Sequence, residues 1–181
     1  ELAERSEEDP FAMLMGEEYE SLSLEDALLA LDKAAKNDKI LGVYLEGGAI
    51  AANPGMAQEL RQALVEFKKS GKWVIAYGDS YGKTAYYLSS VADSVLLNPE
   101  GNVDFSGMAT QIMFFKDVME KVGVKMQVFK VGTYKSAVEP FICSEMSPAN
   151  REQVTSYLFS IWTNMLNEVA ESRNMEVGKL N

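Results

Sequence analysis

Histidine is absent from this 181-residue sequence. Its absence removes the Ser-His-Asp triad, the Cys-His dyad and every histidine-ligated metal site. Any general base here is therefore a Lys, Asp, Glu or Tyr. Cysteine occurs once, as Cys143. A lone cysteine makes no internal disulfide and no cysteine-rich zinc site, and nothing beside it in sequence marks a reactive thiol. Long apolar runs are missing too. The longest, such as 11–15 and 27–31, reach five residues, against the roughly 20 that a membrane-spanning helix needs.

Basic residues are in short supply, 17 Lys and Arg against 27 Asp and Glu, for a net charge of −10. The excess is concentrated at the start. Residues 1–26 hold ten acids and a single base, Arg5, and the remaining 17 acids and 16 bases nearly balance. A broad basic face for nucleic acid is therefore not expected. Residues 1–22 read as an acidic, solvated, partly mobile lead-in, and residues 23–181 as one domain. The chain starts without Met or a signal-peptide pattern and stops at Leu180–Asn181 without a clear final element. The expectation is a fragment of a larger protein.

What is present is a regular alternation. Ser23-Leu24-Glu25-Asp26 is a helix N-cap with an acid at the third helical position, followed by Ala27, Leu28, Leu31 and Ala35 at helical spacing. Residues 39–46 form a β-rich run that Gly47-Gly48 breaks. Asn53-Pro54-Gly55 is a turn, and Met56, Leu60, Ala63, Leu64 and Phe67 make the next helical stripe. Residues 73–77 predict a second strand, 84–91 a small-residue helix, and 95–97 a third strand closed by Asn98-Pro99-Glu100-Gly101. Ile112, Phe115, Val118, Met119 and Val122 predict another helix, and residues 125–131 a fourth strand. Ser147-Pro148 then opens a long helix with Val154, Leu158, Ile161, Trp162, Met165 and Val169 on its buried face. Strands that alternate with helices through short links make an α/β fold of repeated β-α units with a mainly parallel sheet.

Phosphate and metal chemistry find little support. Gly82-Lys83-Thr84 has the ending of a P-loop, but Tyr77 occupies the place of its first glycine. The glycines are read instead as permitting tight turns or close backbone approach. The acids lack the alternating spacing and central glycine of a calcium loop. No cofactor and no metal are expected. The ten methionines are scattered and read as core or interface filler.

The segment 131–141, Val-Gly-Thr-Tyr-Lys-Ser-Ala-Val-Glu-Pro-Phe, remains. Lys135 sits between Tyr134 and Ser136. It is either a solvated lysine or an amine held in a poorly solvated pocket, where the neutral form is favoured and acts as a base for a serine nucleophile. Ser136 either approaches that amine or completes a turn. Tyr134 packs or takes part in proton transfer.

Residues 132–141, with Met146-Ser147-Pro148-Ala149-Asn150-Arg151, resemble the lysine region of the bacterial signal peptide peptidase A (protease IV) family. Ala76-Tyr77-Gly78-Asp79, residues 86–93 and Leu97-Asn98-Pro99-Glu100-Gly101 resemble it as well, so that the similarity covers about residues 24–175. The resemblance implies a ClpP/crotonase-like fold and a Ser-Lys dyad that hydrolyses peptide bonds. Long members have two similar halves, the first carrying the lysine and the second the serine, and this chain is similar to the first. Lys135 is thereby implied as the general base, with Gly132, Tyr134 and Ser136 as candidate supporting residues. The serine-bearing half has Ser-Gly-Gly-Tyr-Tyr where this sequence has Lys83-Thr84-Ala85-Tyr86-Tyr87, and Ser-Pro-Gly-Gly where this one has Leu45-Glu46-Gly47-Gly48. Neither block supplies a serine nucleophile. The implied partners are the serine-bearing C-terminal half of the same protein, signal peptides as substrates, and further copies in a homo-oligomer. The implied location is the outer side of the bacterial cytoplasmic membrane. The rival readings are a non-catalytic oligomerisation or substrate-guiding domain, and a crotonase-type hydratase or isomerase. The Lys135 block argues against the latter.

Overall fold

The structure is a computed structural model that describes residues 23–48, 50, 52–129, 131–132 and 134–180. The acidic lead-in, residues 1–22, lies outside the described residues. The chain forms two compact units. One runs to Ser106 and resumes at Leu166, and the other is Gly107–Met165.

In the first unit, α1 spans Leu24–Lys36. Ser23 starts it: its hydroxyl oxygen accepts from the Asp26 amide at 3.1 Å and the hydroxyl donates to the Asp26 carboxylate at 2.6 Å. A reciprocal cap of this kind satisfies amides that have no partner within the helix. At the other end, the Lys72 ammonium donates to the carbonyls of Ala34 and Asn37 at 2.6 and 2.7 Å. Helix α2, Pro54–Lys68, follows strand β1, Gly42–Gly47. Asn53 caps α2 through the Met56 amide at 2.9 Å, and Pro54 occupies the first helical turn, where a missing N–H costs nothing.

Strand β2 (Trp73–Tyr81), helix α3 (Lys83–Ser89) and strand β3 (Ser94–Val103) complete this unit's β-α repeats. The sheet order is β1-β2-β3, and both pairings are parallel. One face of the sheet presents Val43, Leu45, Val74, Ala76 and Val95 to Phe67, Leu31, Ala34 and Ala35. The other face leaves Tyr44, Trp73 and Leu96 exposed.

Two strands outrun their sequence signals. β2 continues through Gly78–Tyr81, past the strand predicted at 73–77, because Gly78 pairs with both Gly47 and Leu97, and Ser80 and Tyr81 pair with Asn102 and Val103. β3 continues through Asn98-Pro99, read above as its end. Among the described residues it pairs only with β2, and proline is tolerated where a strand needs no second partner. The register shifts between Gly78 and Ser80, and there the Gly101 backbone passes so close to the Asp79 carbonyl that a Cβ at Gly101 would overlap it.

In the second unit, α4 is only Lys116–Lys121, shorter than the apolar stripe from Ile112 to Val122 predicts. The Phe115 amide donates to the Pro140 carbonyl at 2.6 Å and its ring stacks on Phe141, centroids 6.1 Å apart. That contact fixes the start of the helix. Gly123, at φ +78°, ends it in the left-handed conformation, and the Val124 amide returns to the Met119 carbonyl at 2.9 Å. The fourth strand predicted at 125–131 is not formed: residues 124–129 and 131 have no regular structure. Phe129 and Val131 are about 90% and 89% exposed. A strand is stabilised by its neighbours, and among the described residues this segment has none to pair with. The short helix α5, Glu139–Ile142, and the long helix α6, Pro148–Arg173, follow. Val177–Lys179 form a final 3₁₀ turn.

Asp93 joins β2 to the α3–β3 link. Its carboxylate accepts from the Val74 amide and pairs with Lys68, each at 2.8 Å, and its own amide donates to the Val74 carbonyl at 2.8 Å. The hydrogen bond from Lys68, then that from the Val74 amide, holds the carboxyl below its ordinary range. A depressed carboxylate stabilises the fold above its unfolded pKa and loses that contribution as pH falls through the folded value. The pair is half exposed, so we expect Asp93→Asn to cost only about 1 kcal/mol at pH 7. Urea unfolding of both proteins should show this difference at neutral pH and its loss as the pH falls below the ordinary carboxylate range.

Candidate active site

Lys135 lies in the loop between Gly132 and α5. Gly132 has φ +105°, which gives the chain a reversal that side-chain-bearing residues resist. The residues flanking the lysine both reach α6: the Tyr134 hydroxyl faces Glu152 Oε2 at 3.4 Å, and the Ser136 hydroxyl faces Gln153 Oε1 at 3.5 Å. Both contacts are long and exposed. The Ser136 carbonyl accepts from the Glu139 amide at 3.0 Å, so Ser136 closes a turn. Lys135 itself is exposed, and among the described residues no hydrogen bond or ion pair engages its amine. Among the described residues, therefore, no poorly solvated pocket is built around the amine. Beside the loop lies an open groove of about 550 Å³, walled by Tyr134, Tyr157 and Ile161 with Glu152, Ser156 and Ser160 between them.

The loop is held by a residue to which the sequence reading gave no role. Glu139 is only 2% exposed. Its carboxylate accepts from the Ser147 hydroxyl at 2.6 Å, the Asn150 side-chain amide at 2.9 Å and the Ser147 backbone amide at 3.2 Å. Ser147 in turn caps α6, accepting from the Asn150 amide at 3.2 Å. Three residues of the two motif blocks, 132–141 and 146–151, thus form one bonded unit. The signal available in sequence was the pairing of an acid with a Ser-Pro-x-Asn helix start.

In the first unit, the positions matching the serine-bearing block fall at the elbow between β2 and α3. Lys83 is the first residue of α3, after Gly82 at its N-cap. Nearby, Asp104 is held below the ordinary carboxylate range chiefly by the Ser106 hydroxyl, with a smaller pull from Lys83. Gly47 has a packing role: a Cβ there would run into the Tyr81 ring at 2.5 Å. The close-approach reading of this glycine holds.

Arg61, a charge on an otherwise apolar helical face, was also missed. It is 4% exposed and donates to Ser90 Oγ at 2.8 Å, the Glu168 carbonyl at 2.7 Å, Ser172 Oγ at 2.6 Å and the Tyr87 carbonyl. Its Nε lies 3.3 Å from Glu168 Oε2, and its plane sits 4.7 Å from the centre of the Tyr87 ring. The Tyr87 hydroxyl donates to the same Glu168 carboxylate. Burial, then that bond, pushes the phenol pKa well up, while burial lowers the guanidinium's. We expect Arg61→Ala to cost about 3 kcal/mol in denaturant unfolding, because it leaves several buried acceptors unmet. Arg61→Lys should recover little, since one ammonium cannot span this fork of partners.

The parallel β-α repeats of the first unit and the long helix place the chain in the ClpP/crotonase-like class of folds. Residues 66–181 match peptidase family S49, and the chain belongs to that family. It is 39% identical over 159 residues to Protease 4 of Salmonella typhi, covering 87% of this chain and 26% of that protein. Identity to Protease 4 of Haemophilus influenzae is 35% over 179 residues, covering 96% and 28%. Identity to the chloroplastic serine protease SPPA of Arabidopsis thaliana is 33% over 140 residues, covering 77% and 21%. The chain thus spans about a quarter of the length of these curated relatives.

Proposed function

We propose that this chain is the lysine-bearing half of a Ser-Lys endopeptidase, with Lys135 as its general base. The observation that carries the reading is the state of Lys135: an exposed amine, unengaged among the described residues, on a loop tied to α6. In an S49 chain, such an amine is available to a group that this chain does not supply. The residue at the nucleophile-like position of the β2–α3 elbow is Lys83. The serine then comes from the second half of the same protein or from a neighbouring copy in an oligomer.

The chemistry balances as follows. The neutral Lys135 amine accepts the serine hydroxyl proton while Oγ attacks the peptide carbonyl. The tetrahedral intermediate collapses, and the ammonium returns the proton to the departing amine. Water, deprotonated by the same lysine, then attacks the acyl carbon, and the ammonium returns that proton to the departing serine Oγ as the acyl group leaves as a carboxylic acid. The proposed substrates are extended apolar peptides such as cleaved signal peptides. The proposed location is the outer side of the bacterial cytoplasmic membrane. No described helix of this chain is long and apolar enough to cross a membrane, so this reading takes the anchor from elsewhere in the protein.

The test is peptide hydrolysis by the complete two-half protein. Lys135→Ala should fold and assemble, with kcat lowered by about three orders of magnitude. Turnover within tenfold of wild type would instead favour an assembly or substrate-guiding domain, a role for which exposed Tyr157 and Phe159 on α6 are suited. The isolated chain, assayed alone, should show no hydrolysis sensitive to a serine-directed reagent. Steady cleavage abolished by such a reagent would place the nucleophile within these 181 residues.

A further inference from the structure

A buried carboxylate that only braces a helix start is an expensive way to do so, because burying charge is costly unless every lone pair is met. A serine cap alone satisfies one of the amides left without a partner at a helix start. Glu139 adds to that cap a link of different consequence. Its backbone amide is bonded to Ser136, the residue directly after Lys135, at 3.0 Å. Its side chain is bonded to Ser147 and Asn150 in the first turn of α6. The Cys143 amide donates to the Glu139 carbonyl at 2.8 Å, which fixes the backbone on the far side. The remaining restraints on the lysine loop, from Tyr134 and Ser136 to α6, are at 3.4 and 3.5 Å and exposed. Among the described residues, the bonds of Glu139 join the loop to the start of α6 at shorter distances and with less exposure than those of Tyr134 and Ser136.

We propose that Glu139 is a positioning residue for Lys135: its carboxylate locks the Gly132–Glu139 loop to the first turn of α6 and so sets where the amine is presented. The inference rests on the reading of Lys135 as general base. Proton transfer demands the amine within about 3 Å of the serine hydroxyl, and a displacement of about 1 Å is enough to cost a hundredfold in rate. A stiff helix is a suitable reference for such placement, and the three hydrogen bonds fix both the distance and the direction of the loop relative to it. The proposal also gives one reason for the pairing of the Glu139-Pro140-Phe141 block with Ser147-Pro148-Ala149-Asn150 in this sequence.

The experiment is a set of variants of the complete two-half protein, assayed for kcat and KM on a fluorogenic apolar peptide. Glu139→Ala should lower kcat about a hundredfold with KM changed less than twofold. Glu139→Gln keeps an oxygen for the two N–H donors and offers its amide to the Ser147 hydroxyl, so it should restore most of the loss. Ser147→Ala removes the shortest bond and should fall between them. A purely structural role is separated from positioning by repeating Glu139→Ala in the Lys135→Ala background. There it should change the residual rate less than twofold, because no base remains to be positioned. An equal loss in both backgrounds, or a folded Glu139→Ala with wild-type kcat, overturns the proposal while leaving Lys135 as base. Wild-type turnover by Lys135→Ala overturns both readings. If Glu139→Ala does not fold, Ser147→Ala carries the same comparison, and an unchanged kcat there overturns the proposal.

Discussion

The first unit depends on one buried guanidinium. Arg61 projects from α2 and bonds the carbonyl that ends α3, the Ser90 hydroxyl beyond it, and Glu168 and Ser172 on the last turns of α6. Apolar contact between these helix segments is strong but poorly directional, and Arg61 gives it direction, together with the Tyr87 hydroxyl and Gln58, which also reach Glu168. Arginine suits this place because its donors lie in one plane and address several acceptors together. Tyr87 completes the arrangement from both sides, giving its ring face to the cation and its hydroxyl to the Glu168 carboxylate. Each polar atom answers another, so the burial of charge is tolerated rather than penalised. The consequence for the site is a fixed elbow, since Tyr87 lies one turn after Lys83 in α3.

The second unit uses the opposite charge in a comparable way. Glu139 is an acceptor with no N–H of its own to donate from the side chain, and it gathers two donors from Ser147 and one from Asn150. Arg61 gathers carbonyls and hydroxyls; Glu139 gathers amides and a hydroxyl at a helix N-terminus. A carboxylate is electrostatically at home there, beside the positive end of the helix dipole. In both places a charged side chain sets geometry that packing of leucine and valine would leave loosely defined. The ionic groups here specify arrangement, and the apolar core around Phe67 and Val74 supplies the bulk of the stabilisation.

The legible parts of the fold were those fixed locally. Ser23 and Ser147 announce their helices because capping is decided within four residues, whereas Asn53, read as part of a turn, turns out to cap α2. The first strand and the α2 stripe follow from short-range periodicity in the same way. What escaped was set by distant partners. β2 runs on past Gly78 because β3 pairs with Ser80 and Tyr81 there, and β3 carries Pro99 because, among the described residues, it lies beside β2 alone. The run at 125–131 has the composition of a strand, but composition supplies no neighbour, and the described chain offers none. Arg61 and Glu139 were invisible for a related reason. A charged residue in a sequence is read as solvated by default, and only the tertiary structure discloses the partners that pay for its burial. Lys135 was found through its motif rather than its surroundings.

The exposure of Lys135 makes the final point. An amine takes a proton only in its neutral form, and removal from water is what favours that form. Among the described residues of the second unit, none removes Lys135 from water. A base role therefore asks for two contributions from outside the chain at once: the hydroxyl to be deprotonated and the surface that excludes solvent. A single partner, docking its serine against the lysine loop, would bring both. Under the proposed function, the same event would assemble the site and bring the base its proton donor.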